Sequence, residues 1–108
     1  MRRFASLRRQ ADFSNLRRRG RRVSTPILTL YRGAALGGDR SSLLGITVSK
    51  AIGKAVVRNK LRRRLAAIVH EELAGRTPMR LLVVPRPSAA AVPFTALRSE
   101  LQSALSRA

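Results

Sequence analysis

The chain has 108 residues, enough for one modest core and for a single domain spanning 1–108. Its 23 Lys and Arg against 5 Asp and Glu give a formal net charge of +18, and 20 of those cations are arginine; such an excess repels itself in a compact state and calls for a polyanionic partner, with phosphate suited to arginine's planar fork of donors. The absence of cysteine excludes disulfides, thiolate metal sites and cysteine nucleophiles, and no apolar run reaches the roughly 18 residues of a membrane span.

Residues 1–10 read as an irregular, flexible basic N-terminus. Being rich in Arg and poor in acid, the segment also admits a second reading as a mitochondrial presequence. Ala11 to Arg19 forms a short helix with Phe13 and Leu16 on one face, and Gly20 is placed to end it in the left-handed conformation. Ile27 to Arg32 is a strand, with Ile27, Thr29 and Tyr31 on one face and Leu28 and Leu30 on the other. A further short strand is possible near Val23. Gly37-Gly38-Asp39 makes the turn of a loop. Leu43 to Ser49 is a second strand, interrupted by Gly45, and it pairs with the first as a hairpin. A long helix begins between Ser49 and Lys54 and runs to about Ala74, with Val57, Leu61, Leu65 and Ile68 at helical spacing. Glu71 and Glu72 sit at its unfavourable end and invite pairing with Arg64, His70 or Arg76. Arg80 to Val84 is a strongly apolar, central strand. A last helix opens at Pro93 and buries Phe94, Leu97, Leu101, Ala104 and Leu105. The order is α, β, β, α, β, α, an α+β sandwich of one sheet with helices against it.

Chemistry of its own is hard to build on this chain. The lone histidine, His70, is followed by acids that face other directions around the helix. Neither metal-ligand spacing nor a phosphate-cradling glycine motif occurs. The informative element is the long helix. Asn59, Lys60, Arg62 and Arg63 form a continuous arc opposite the apolar stripe, flanked by Arg58 and Arg64, with no acid between Ser49 and His70. A merely solvated face mixes its signs, so the arc reads as a nucleic-acid face. A membrane-surface helix is disfavoured by the lack of Trp or Phe on the apolar side. Phe13 and Tyr31, beside the N-terminal arginines, either belong to the core or line a groove for single-stranded nucleic acid.

GKAVVRNKLRRRL, Gly53 to Leu65, resembles the RNR signature of the protein subunit of bacterial ribonuclease P. The likeness extends in order along the chain: Leu7 to Phe13, which resembles the family's opening helix, then LTLY (Leu28 to Tyr31), GITVSK (Gly45 to Lys50) and LLVVPRP (Leu81 to Pro87). It implies a four-stranded sheet with three helices and a left-handed βαβ crossover, a fold class shared with a domain of a small-subunit ribosomal protein. It implies two partners, the catalytic RNA subunit and precursor tRNA, and neither a membrane nor a protein partner. The RNA would cut the phosphodiester with Mg²⁺, the protein would raise affinity for substrate and metal, and no catalytic residue falls on the protein. Carried over by position, Lys50, Lys54, Arg58, Asn59, Lys60, Arg62 and Arg63 would contact the RNA subunit. Phe13, Arg17 and Tyr31 would line the cleft for the 5′ leader. The chain departs from the family pattern at three places. Lys60 stands for an arginine, Ala51 for a common lysine, and Arg17 for a cleft aromatic. The likeness also implies a cytoplasmic protein. Two other readings stay open on the residues alone: a structural RNA-binding protein such as a ribosomal protein, and, less in keeping with the residues, an autonomous nuclease.

Overall fold

The computed structural model describes residues 4–7, 9–35 and 41–108. In chain order the elements are β1 (Phe4–Ser6), α1 (Gln10–Arg19), β2 (Arg21–Ser24), β3 (Leu28–Ala34), β4 (Ser42–Ile46), α2 (Ala55–Glu72), β5 (Met79–Pro85) and α3 (Phe94–Arg107), with short 3-10 turns at Lys50–Ile52 and Pro87–Ala91. The five strands form one mixed sheet in the order β1-β4-β5-β3-β2. The family likeness implied four strands. The additional one is β1, drawn from the stretch read as irregular, and it pairs in parallel with β4, Ala5 opposite Leu43. The strand anticipated near Val23 is β2, antiparallel to β3.

The expected hairpin of β3 with β4 does not form. β5 lies between them, antiparallel to β3 (Leu30 opposite Val83) and parallel to β4 (Leu44 opposite Leu81). The reason lies in β5 itself. Leu81, Leu82 and Val83 are all buried, so both faces of this strand need cover, and such a strand takes the middle of a sheet. β4 must then reach β5 by a parallel crossover through α2. The turn expected at Gly37-Gly38-Asp39 lies outside the described residues.

Alternation sorts the two faces of the sheet. Leu28, Leu30, Leu44, Leu81 and Val83 face α2 and α3 and form the main core with Leu61, Leu65, Ile68, Leu97, Leu101 and Leu105. Leu82, Tyr31, Leu43 and Val84 face the other way and meet Leu7, Phe13 and Leu16 under α1. At about 25 cal/mol per Å² of apolar area, each fully buried leucine contributes about 1.5–3 kcal/mol, so the α2–α3 side carries most of the stability.

Val57 does not join the buried stripe of α2. It is 39% exposed and Val56 is 78% exposed, because the first turns of α2 run beyond the core and burial begins at Leu61. Gly53, at φ 146°, separates the Lys50–Ile52 turn from α2, a backbone conformation essentially reserved for glycine. Gly20 is not left-handed; its φ is −69°. Its missing side chain is needed for another reason, since a Cβ would collide with the Leu16 carbonyl oxygen. Glu71 and Glu72 tie α2 to α3. Arg98 donates to Glu71 at 3.0 Å, Gln102 donates to Glu72 at 2.9 Å, and Arg76 stands 4.0 Å from Glu72.

Candidate RNA-binding site

α1 is fixed to its face of the sheet by polar and apolar contacts together. The buried Arg80 of β5 donates to Asp12 of α1 at 2.9 Å. One turn on, Leu16 covers Gly33, where a Cβ would stand 2.8 Å from Leu16 Cδ2. Phe13, between these two anchors, reaches over β4 to Gly45. The ion pair sets the pose of the helix, and the missing side chains at Gly33 and Gly45 set how closely it approaches.

Phe13 therefore stands at the open edge of α1 with its ring half-buried. On one side it lines a groove of ≈ 350 Å³ with Leu7, Gly45, Arg62 and Arg63. On the other it lines a hollow with Gln10, Ser14, Arg17 and Thr47. Arg62 and Arg63 belong to α2, on the far face of the sheet, and reach this groove past Leu44 and Ile46 of β4. The structure thus brings Phe13 together with Arg62 and Arg63, and with Arg17. Tyr31 shares the apolar cluster under α1 with Phe13, Leu43 and Val84.

The remaining candidates lie along α2 and its approach. Lys50 and Lys54 are exposed, Lys50 in the 3-10 turn and Lys54 at the N-cap of α2. That N-cap makes no side-chain hydrogen bond, and the first turn of α2 has no acid, so the positive end of the helix dipole is unopposed within its own helix. Asn59 and Lys60 are exposed. Asn59 Oδ1 accepts from Arg62 Nη1 at 3.0 Å, which orients that guanidinium. Arg58 is half-buried, and its Nε has no hydrogen-bond partner among the described residues. No three of the His, Asp and Glu among the described residues gather as a metal site. Several acids hold the fold instead: Asp12 with Arg80, Glu71 with Arg98, Glu72 with Gln102.

Sequence reasoning overlooked the parts of the site that depend on packing. The residues alone put Leu7 in an irregular tail and the family likeness puts it in the opening helix; in the structure it follows β1, its N–H donating to the Leu44 carbonyl at 2.9 Å, and α1 begins only at Gln10. Gly45 reads in the sequence only as a break in a strand. That break was the available signal, because an isolated glycine within a strand marks close approach by another group.

The family model for ribonuclease P matches residues 1–108. The chain belongs to the ribonuclease P protein family. Similar proteins include the ribonuclease P protein component of Acidothermus cellulolyticus, 40% identical over 103 residues that cover 94% of this chain and 85% of the relative. That of Thermobifida fusca is 38% identical over 106 residues, covering 92% of this chain and 72% of the relative. The solved ribonuclease P protein of Thermotoga maritima superposes with a TM-score of 0.82 at 27% identity, covering 94% of this chain and 98% of that one. That of Staphylococcus aureus, at TM-score 0.84 and 24% identity over 94% and 92% of the two chains, shares the fold. As a ribonuclease P protein, the chain is the protein subunit of a tRNA-processing endoribonuclease that works as a ribonucleoprotein. No helix among the described residues is long and apolar enough to cross a membrane.

Proposed function

We propose that this ribonuclease P protein grips two RNAs from two sides of one groove. Lys50, Lys54, Arg58, Asn59, Lys60, Arg62 and Arg63 bind the catalytic RNA subunit. Phe13, Arg17 and Tyr31 receive the single-stranded 5′ leader of precursor tRNA. Phe13 offers a face on which a base stacks, and Arg17 offers a cation for the adjoining phosphate. The observation that carries this reading is the groove itself, where Arg62 and Arg63 of α2 meet Phe13 of α1. It joins the RNA-facing helix to the aromatic cleft, so a leader held at Phe13 is held beside the catalytic RNA.

Cleavage belongs to the RNA, which uses Mg²⁺. The protein lowers the Mg²⁺ requirement by supplying cations where phosphates crowd. The roles of Asp12, Glu71 and Glu72 in holding the fold support this division. The left hand of the β4–α2–β5 crossover and a cytoplasmic location belong to the same reading. The test is cleavage of precursor tRNA by the cognate RNA at limiting Mg²⁺, with and without the protein. The protein should restore cleavage there; an unchanged rate would overturn the proposal.

A further inference from the structure

α1 carries a second exposed face that the cleft does not use. Ala11, Ser14, Asn15, Arg18 and Arg19 line a shallow hollow on it. This hollow shares Ser14 with the one that holds Phe13 and Arg17, and that one shares Phe13 with the groove of Arg62 and Arg63. The three depressions therefore adjoin one another, past β4 beyond the end of β1 and then side by side across α1. Arginines stand at every stage: Arg62 and Arg63, then Arg17, then Arg18 and Arg19. The only acid of α1, Asp12, is turned to the sheet and paired with Arg80. From Phe13 to Arg19 the helix advances about 9 Å.

We infer that single-stranded RNA follows this track past the cleft, and that Arg18 and Arg19 bind phosphates of the 5′ leader lying beyond the part held at Phe13. The inference rests on the cleft assignment above. A path that begins at an aromatic and continues among cations suits one strand; a duplex presents two backbones and no free base. The competing explanation is local, since arginines in the last turn of a helix stabilise it by opposing the dipole. That explanation concerns stability alone and knows nothing of leader length.

The experiment uses the holoenzyme, assembled from the cognate catalytic RNA and either wild-type protein or the Arg18→Ala/Arg19→Ala variant. Precursor tRNAs carry leaders from none to many nucleotides, and affinity is measured against salt. Wild type should gain affinity at a first leader length, as Phe13 is reached, and again at a longer one. The variant should keep the first gain and lose the second. Its salt slope on long leaders should fall by about 1.4, two single-strand phosphate contacts at about 0.7 each. Arg18→Lys/Arg19→Lys should keep most of that slope. Equal losses with and without a leader, or no loss on long leaders, would overturn the inference while leaving the cleft intact. A wild-type holoenzyme indifferent to every leader would overturn the cleft assignment and this inference together. Thermal melting of the free variant reports the dipole contribution separately.

Discussion

The ring of Phe13 lies against the backbone of Gly45: a Cβ on that glycine would stand 2.7 Å from Phe13 Cε1 and 3.1 Å from Cζ. Leu7 closes the other side, with its Cδ2 at 3.2 Å from the same point. The aromatic that begins the proposed leader path is thus seated by an absent side chain. Its position is a property of β4 as much as of α1.

Gly45→Ala should therefore act on substrate binding through Phe13. Overpacking at this spot should cost about 1–3 kcal/mol in urea unfolding and push the ring off its seat. Affinity for precursor tRNA with a leader should fall, as it should for Phe13→Ala, while affinity for the catalytic RNA stays near wild type. Equal losses for both RNAs in both variants would mean that Phe13 serves only the core.

Asp12→Asn tests the anchor of α1. The variant removes the carboxylate facing Arg80, a residue only 8% exposed. Breaking a buried pair from one side costs about 3 kcal/mol, far above the value of a surface pair. Asp12→Leu combined with Arg80→Met should recover most of that loss, because an apolar pair of similar volume takes the charge out of the buried site. A loss below about 1 kcal/mol for Asp12→Asn would show that the pair behaves as a surface one.

Arg62→Ala/Arg63→Ala should weaken binding of the catalytic RNA and flatten its salt dependence by about 0.7–0.9 per lost phosphate contact. Both residues are exposed, so the melting temperature of the free protein should move little. An unchanged slope would make them solvated bystanders. Asn59→Ala, which releases Arg62 from its hydrogen bond, should give a smaller loss in the same direction.

Val56→Glu separates stability from binding. Val56 is exposed in the first turn of α2, where no acid opposes the helix dipole. A carboxylate there should stabilise the free protein by about 0.5 kcal/mol. It should also repel phosphate and weaken the catalytic RNA complex. A more stable protein with unimpaired RNA binding would place this end of α2 away from the RNA.

Periodicity made the elements legible and left their arrangement hidden. The 3.6-residue spacing of Leu97, Leu101 and Leu105 and the apolar run Leu81 to Val84 marked α3 and β5, and Tyr31 was set apart from Leu28 and Leu30 correctly, whereas Ile27, expected beside Tyr31, precedes β3 and joins the core of Leu28 and Leu30. Alternation says which way a side chain points, and it does not name the neighbouring strand; hence β5 entered between β3 and β4 unforeseen. β1 has three residues, too few for any period to register. Val57 keeps helical spacing with Leu61 although the core has already ended, because spacing is blind to where the partner surface stops. Of the site, the charged arc on α2 was visible from its one-sided arginines. The meeting of Arg62 and Arg63 with Phe13 was not, since it depends on a sheet edge that neither α1 nor α2 encodes locally.

The middle strand of the sheet is also the last to be synthesised. Before β5 arrives, β1 can pair only with β4 and β2 only with β3, and no backbone ladder joins the two halves. A ribosome must therefore deliver Met79–Pro85 before the fold can close. Most of the arginines emerge earlier, so for that interval the nascent chain is a polycation whose sheet is not yet joined. Chains truncated ahead of Met79 should stay open and stick to RNA without selectivity. The timing of translation, as well as the shape of the groove, then governs which RNA this protein meets first.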